Sequence, residues 1–114
     1  MRDWAQRGRV DFEVAIIPAP IQALPGEKLR QAGVTAFGLS ALDYPVQRIA
    51  LFAEQNSIPY LSLLDPFRVY GDRERVFLFG FPPRLGDGHL NATGNQVGGR
   101  SIADRLCRRY QQRN

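Results

Sequence analysis

Cysteine and histidine each occur once, as Cys107 and His89. A single cysteine excludes an internal disulfide. One His, one Cys and no Cys-x-x-Cys leave too few side chains for a zinc site, and no metal or other cofactor is expected. Long hydrophobic runs are also absent. Nothing approaches the roughly 20 apolar residues of a membrane helix, so no membrane span is expected. The opening MRDWAQRGRVDFEVAIIP has only a short apolar run, closed by Pro18, and lacks a signal-peptide core. No export signal is read in this chain, and its compartment stays open. Repeats and low-complexity tracts are missing. Strands are scarce, with only two clear ones.

What is present is an ordinary globular composition over 114 residues, 44% apolar and 23% charged, which fits one small domain spanning 1–114. The net charge is +4, much of it from arginines at the two ends. Arg100, Arg105, Arg108, Arg109 and Arg113 suit the outer face and last turns of a helix. The one aromatic among them, Tyr110, falls on the apolar stripe of that helix, so no nucleic-acid partner is expected.

FEVAIIP, residues 12–18, is a short β-branched run stopped by proline, as in a strand buried on both faces of a parallel sheet. Pro18, Pro20 and Pro25 predict an irregular connection with a short helix at 26–31, and VTAFGLS at 34–40 reads as a strand or a loop. Tyr44-Pro45 opens a helix, with Asp43 as candidate cap and Val46, Ile49, Ala50, Phe52 and Ala53 at helical spacing. IPYLSLL, residues 58–64, is the second strand. Helix followed at once by strand is an α/β crossover, which predicts a parallel sheet with helices on its faces. Residues 65–86 read as a long connection. Asn91 is a good N-cap for a last helix running to about Gln111. Val97, Ile102, Ala103, Leu106, Cys107 and Tyr110 form its apolar stripe, which predicts a buried Cys107. Gly94, Gly98 and Gly99 each weaken that helix by about 1 kcal/mol, which is tolerable where they let it lie close to the sheet.

Two strands do not make a comfortable sheet, so the chain reads as part of a larger α/β unit. The unpaired edge this implies is a candidate surface for self-association.

The stretch GDGHLNATGNQVGG, residues 86–99, carries the chemistry. Asp87 and His89 flank Gly88, whose backbone freedom lets the two side chains meet. A carboxylate bonded to one ring nitrogen fixes the tautomer and leaves the other free to take a proton from a nucleophile. It also stabilises the imidazolium against the helix N-terminus behind it. A nucleophile is harder to find. Ser40, Ser57, Ser62 and Ser101 lie outside any G-x-S-x-G or Gly-Asp-Ser context, and structural or capping roles fit all four. Cys107, read as buried, is no better. Phe79, Phe81, Pro82 and Pro83 either line an acyl pocket or pack the connection onto the core.

The order VAIIP, Tyr44-Pro45, IPYLSLLDPFR and DGHLNATGNQVGGRSIADRL resembles the C-terminal part of SGNH hydrolases, the GDSL esterases and lipases. The resemblance runs from about Glu13 to Arg108, and the last block is its most specific part. It implies a three-layer α/β/α fold with a parallel sheet, here incomplete. It implies that His89 is the catalytic base and Asp87 its orienting acid, acting on an acyl ester substrate. The nucleophilic serine and oxyanion blocks of that family have no match here. The chain is therefore expected to be a C-terminal portion, inactive alone, with Met1 an internal or spurious start. Many members space acid and base as Asp-x-x-His. The Asp-x-His seen here is similar to polysaccharide O-acetyltransferase-like members, which leaves acyl transfer beside hydrolysis. Asn95 replaces a histidine frequent in relatives and reads as a helix-surface change. A non-catalytic remnant or interaction module is the remaining alternative.

Overall fold

A computed structural model describes residues 1–113. Among them are five α-helices: α1 (Arg2–Arg7), α2 (Glu27–Phe37), α3 (Tyr44–Gln55), α4 (Leu64–Glu74) and α5 (Ala92–Arg113). Four short strands accompany them: β1 (Val14–Ile16), β2 (Tyr60–Ser62), β3 (Phe79–Phe81) and β4 (Arg84–Leu90). The class is mixed α/β. β1 and β2 pair in parallel, with Ala15 opposite Leu61, and β3 and β4 form a separate antiparallel hairpin.

The crossover predicted from sequence is present. β1 leads through a 3-10 turn (Pro20–Ala23), α2 and α3 into β2. The strand is shorter than FEVAIIP and is not buried on both faces. Ile16 is buried against Val46 and Leu64, while Ala15, pointing the other way, is exposed. The reason is that no layer closes over that face; a cleft of about 690 Å³ lies between it and the C-terminal half of α5.

Residues 34–40 are not a strand. α2 runs on through Val34 to Phe37 and stops at Gly38, whose left-handed backbone (φ 60°) turns the chain so that the Gly38 N–H donates to Thr35 O and the Leu39 N–H to Val34 O. Tertiary contacts hold this helix. The Arg30 guanidinium donates to both Asp72 oxygens (2.7 and 2.9 Å) and to Leu24 O (2.7 Å). Asp43 makes no cap bond to α3. Its carboxylate instead accepts two bonds from Arg68 (2.5 and 3.0 Å), which bind the start of α3 to α4.

The stretch 65–86 is not a long connection either. Leu64, Phe67 and Gly71 recur at helical spacing on the buried face of α4. Pro66 sits in the first turn, where no intrahelical N–H is needed. The hairpin follows directly. The main core gathers here: Leu63, Phe67 and Leu78 are at most 1% exposed, and Phe67 meets Phe79 edge-to-face at 5.9 Å. Burial of this cluster, at ~25 cal/mol per Å² of apolar surface, is the main force holding α4, the hairpin and α5 together.

Only the first half of α5 joins that core. Val97 is buried, but Ile102 is 36%, Leu106 53% and Tyr110 71% exposed. Cys107 is exposed as well, contrary to the helical-stripe expectation. The stripe exists, but the surface it would pack on is not filled. The helix end is held by charge instead: Arg105 and Arg109 donate to the two Glu13 oxygens (2.7 and 2.6 Å), and Arg113 pairs with Asp11. The radius of gyration is 15.9 Å, against about 13 Å for a compact domain of this length.

Candidate active site

Asp87 and His89 both lie on β4, in the strand that feeds α5. Phe79 pairs with Leu90 and Gly80 with Leu85, so residues 86–89, Asp87 and His89 among them, bulge out of β4 with no partner on β3. Gly80 has φ 82°, and a Cβ there would sit 2.2 Å from Arg84 O and 2.8 Å from Asp87 O. Only glycine permits this closure, so Gly80 sets where the Asp87 backbone lies.

Asn91 fixes the other end of the motif. Its Oδ1 accepts the Gly94 N–H (2.9 Å), the N-cap bond predicted from sequence. Its Nδ2 also donates to Phe77 O (2.8 Å) and Gly80 O (3.3 Å). One carboxamide thus joins the start of α5 to Phe77, just before β3, and to Gly80 in the middle of that strand. The sequence signals the cap but not these donors, because the carbonyls they meet lie 14 and 11 residues upstream.

The couple itself is together but not joined. Asp87 and His89 are both exposed, and among the described residues no hydrogen bond links them. The Asp87 Oδ1 accepts the neighbouring Gly88 N–H (2.8 Å), and its Oδ2 lies 4.0 Å from Arg84 Nη2. Gly88 uses its backbone freedom, with φ 78°, but the turn brings Asp87 onto the Gly88 N–H and forms no bond between the two side chains. With water around both groups, the nearby backbone N–H outcompetes the imidazole for the carboxylate.

No serine hydroxyl among the described residues bonds to His89. Ser62 Oγ accepts the Leu64 N–H (3.3 Å) at the head of α4, and Ser101 Oγ donates to Val97 O (2.9 Å). Ser57 ends α3 in a left-handed conformation, and Ser40 is exposed. Capping and structural roles therefore cover Ser62 and Ser101. Phe79 is core, 5% exposed, whereas Phe81 stands 59% exposed at the hairpin tip. The cleft that does border the motif is elsewhere. Gly86 and Asp87 line part of an open apolar cleft of about 850 Å³, together with residues of the 3-10 turn and α2.

No group of three His, Cys, Asp or Glu side chains placed to hold a metal ion occurs among the described residues. None of their helices is long and apolar enough to cross a membrane. Compared with protein-family models, curated proteins and solved structures, the chain matches none.

Proposed function

We propose that this chain is the base-bearing portion of a serine ester hydrolase or acyltransferase of SGNH type. The observation that carries the reading is the placement of His89. Its imidazole is exposed and makes no hydrogen bond among the described residues, two positions from Asp87 on a strand anchored by Asn91 to the following helix. In this reading a serine from outside the described residues attacks the ester carbonyl. His89 takes the hydroxyl proton and returns it to the leaving alcohol. Asp87, released from the Gly88 N–H, orients the ring and stabilises the imidazolium. A carbohydrate hydroxyl in place of water as final acceptor makes the same couple an acyltransferase.

The test is hydrolysis of p-nitrophenyl acetate. The isolated chain is expected to show no turnover. A longer protein that adds a Gly-Asp-Ser block is expected to turn the ester over and to lose that activity with His89→Ala. Full activity after the substitution overturns the assignment.

A second reading, self-association, is favoured by the sheet. β1 pairs only with β2 among the described residues, so its other edge is open. A monodisperse monomer by sedimentation at high concentration would remove it.

A further inference from the structure

The free edge of β1 is short, and its hydrogen-bonding groups can be assigned one by one. Toward β2 the strand uses its even-numbered residues. The Val14 N–H donates to Pro59 O and the Ile16 carbonyl accepts the Leu63 N–H, both at 2.9 Å. Successive backbone groups of an extended strand point to opposite sides. The N–H and carbonyl of Glu13, Ala15 and Ile17 therefore point away from β2, and among the described residues none of them has a hydrogen-bond partner. The next N–H in that alternation, Ala19's, is already taken by Gln22 Oε1 at 2.7 Å. Three residues thus make up the edge, with Ala15 at its centre.

The surface beside this edge is apolar and electrically closed. Glu13 and Ala15 share the cleft of about 690 Å³ with Ile102, Leu106 and Tyr110 of α5. The carboxylates on its rim are paired within the chain, Glu13 with Arg105 and Arg109 and Asp11 with Arg113. A strand entering here needs to bring no charge. A free charge would lose its water without gaining a counter-ion.

The chain carries such a strand itself. When a second copy is set antiparallel about a two-fold axis at Ala15, the two Ala15 residues face each other. Glu13 then faces Ile17 of the second copy. Each facing pair presents outward N–H and carbonyl groups and can exchange two hydrogen bonds. No like charges face one another. Facing residues lie on one side of a sheet, so Ile17 of the second copy, 54% exposed in the single chain, enters the cleft that Leu106 and Tyr110 line. Two paired strands become four, past the number at which a sheet is independently stable.

The available area sets the strength. The exposed parts of Ile17, Ile102, Leu106 and Tyr110 offer roughly 400 Å² of side-chain surface per copy. A standard interface buries about 800 Å² per partner, so association should be weak, with Kd about 10–100 μM.

We infer that β1 and the α5 stripe form a docking surface for a second copy of this chain, joined through antiparallel β1 strands centred on Ala15. The inference rests on the self-association reading and is independent of the ester-handling one. It adds to that reading the strand, the register and the helix face that covers the seam.

Sedimentation equilibrium of the 114-residue chain up to about 500 μM should show a monomer–dimer equilibrium in that range. Ala15→Pro removes the edge N–H without touching the ladder to β2, a place where an edge strand tolerates proline. It should weaken the dimer at least tenfold with the circular dichroism spectrum retained. Leu106→Lys, at an exposed helix position, should weaken it at least as much. Phe52→Lys, on the exposed face of α3, should leave it unchanged. The register is read by oxidative crosslinking in a Cys107→Ser background. Facing Ala15 residues would have Cα atoms about 5.5 Å apart, within disulfide reach, whereas the two Ile17 residues would lie about 14 Å apart. Ala15→Cys should therefore crosslink at least tenfold faster than Ile17→Cys.

A monomer throughout the concentration range overturns this inference and the self-association reading together. A monomer that binds an added FEVAIIP peptide does the same and assigns the edge to foreign strands. A dimer that crosslinks equally at positions 15 and 17, or that ignores Leu106→Lys but dissociates with Phe52→Lys, keeps self-association and overturns this surface. If Ala15→Pro fails to fold, Leu106→Lys and the crosslinking ratio decide the matter alone.

Discussion

Asn91 performs two separable tasks, and two substitutions at that one position distinguish them. As N-cap it accepts the Gly94 N–H; as donor it satisfies Phe77 O and Gly80 O. Asn91→Ala removes everything. Loss of the cap costs about 1 kcal/mol, and leaving part-buried carbonyls unpaired adds about 1–2 kcal/mol. The expected total is about 2–3 kcal/mol. Asn91→Asp keeps a good cap acceptor but turns a carboxylate oxygen toward the two carbonyls. If the cap dominates, Asp should be within about 0.5 kcal/mol of wild type. If the tether dominates, as the geometry indicates, Asp should lose at least as much as Ala. Urea unfolding followed by far-UV circular dichroism measures both, and unchanged slopes would show that the unfolded state is not altered. Near-native stability of Asn91→Asp would refute the tether and leave Asn91 as a simple cap.

Three further expectations follow from the same contacts. Gly94→Ala should destabilise by about 2–3 kcal/mol despite the better helix propensity of alanine, because its Cβ would lie 2.1 Å from Leu78 O; Gly99, with open space around it, should gain up to about 1 kcal/mol from the same change. Denaturant midpoints of the two variants test this, and equal shifts would contradict it. Stability should fall on acidification. For Glu13, burial raises the carboxyl pKa, but the hydrogen bonds from Arg109 and Arg105 outweigh it and hold the value below the ordinary 4.5; for Asp72 the Arg30 hydrogen bond leads, holding it below 3.8. Both folded values are depressed, so the unfolded chain takes up protons first as pH drops. Their contribution is present above about pH 4.5 and is lost below it, as pH falls through the folded values. Glu13→Gln should flatten that acid limb in a pH series of unfolding curves, and an unchanged limb would exclude the clamp. Finally, His89→Ala should change stability by less than about 0.5 kcal/mol, since the side chain is exposed and packs nothing. A larger loss in thermal unfolding would assign His89 a structural role.

Local chemistry made several elements readable in advance. The β-branched run at Val14–Ile16, the Pro45 helix start and the Asn91 cap each depend on near neighbours, and each is present. α4 was obscured by Pro66 and Gly71, residues that usually punctuate loops. Both are accommodated here, Pro66 in a first turn and Gly71 packed against Val76 O and Ala23 O. The end of α2 was hidden because Val34 and Thr35 are weak helix formers, and its support comes from Asp72, 42 residues away from Arg30. Cys107 was misplaced because periodicity reports which face of a helix is apolar, not whether anything covers it.

The same division holds for the candidate site. By itself the sequence determined that one carboxylate and one imidazole flank a glycine ahead of a capped helix, because adjacency along a chain is independent of folding. Only the tertiary structure decided that Asp87 turns to the Gly88 N–H rather than to His89, since that choice depends on solvent and on which donor lies nearer. It also decided that Asp87 borders an apolar cleft, because the cleft's other walls come from residues 20–39 and meet the motif through the packing of Ile21 on Gly33 and of Leu24 on Gly86.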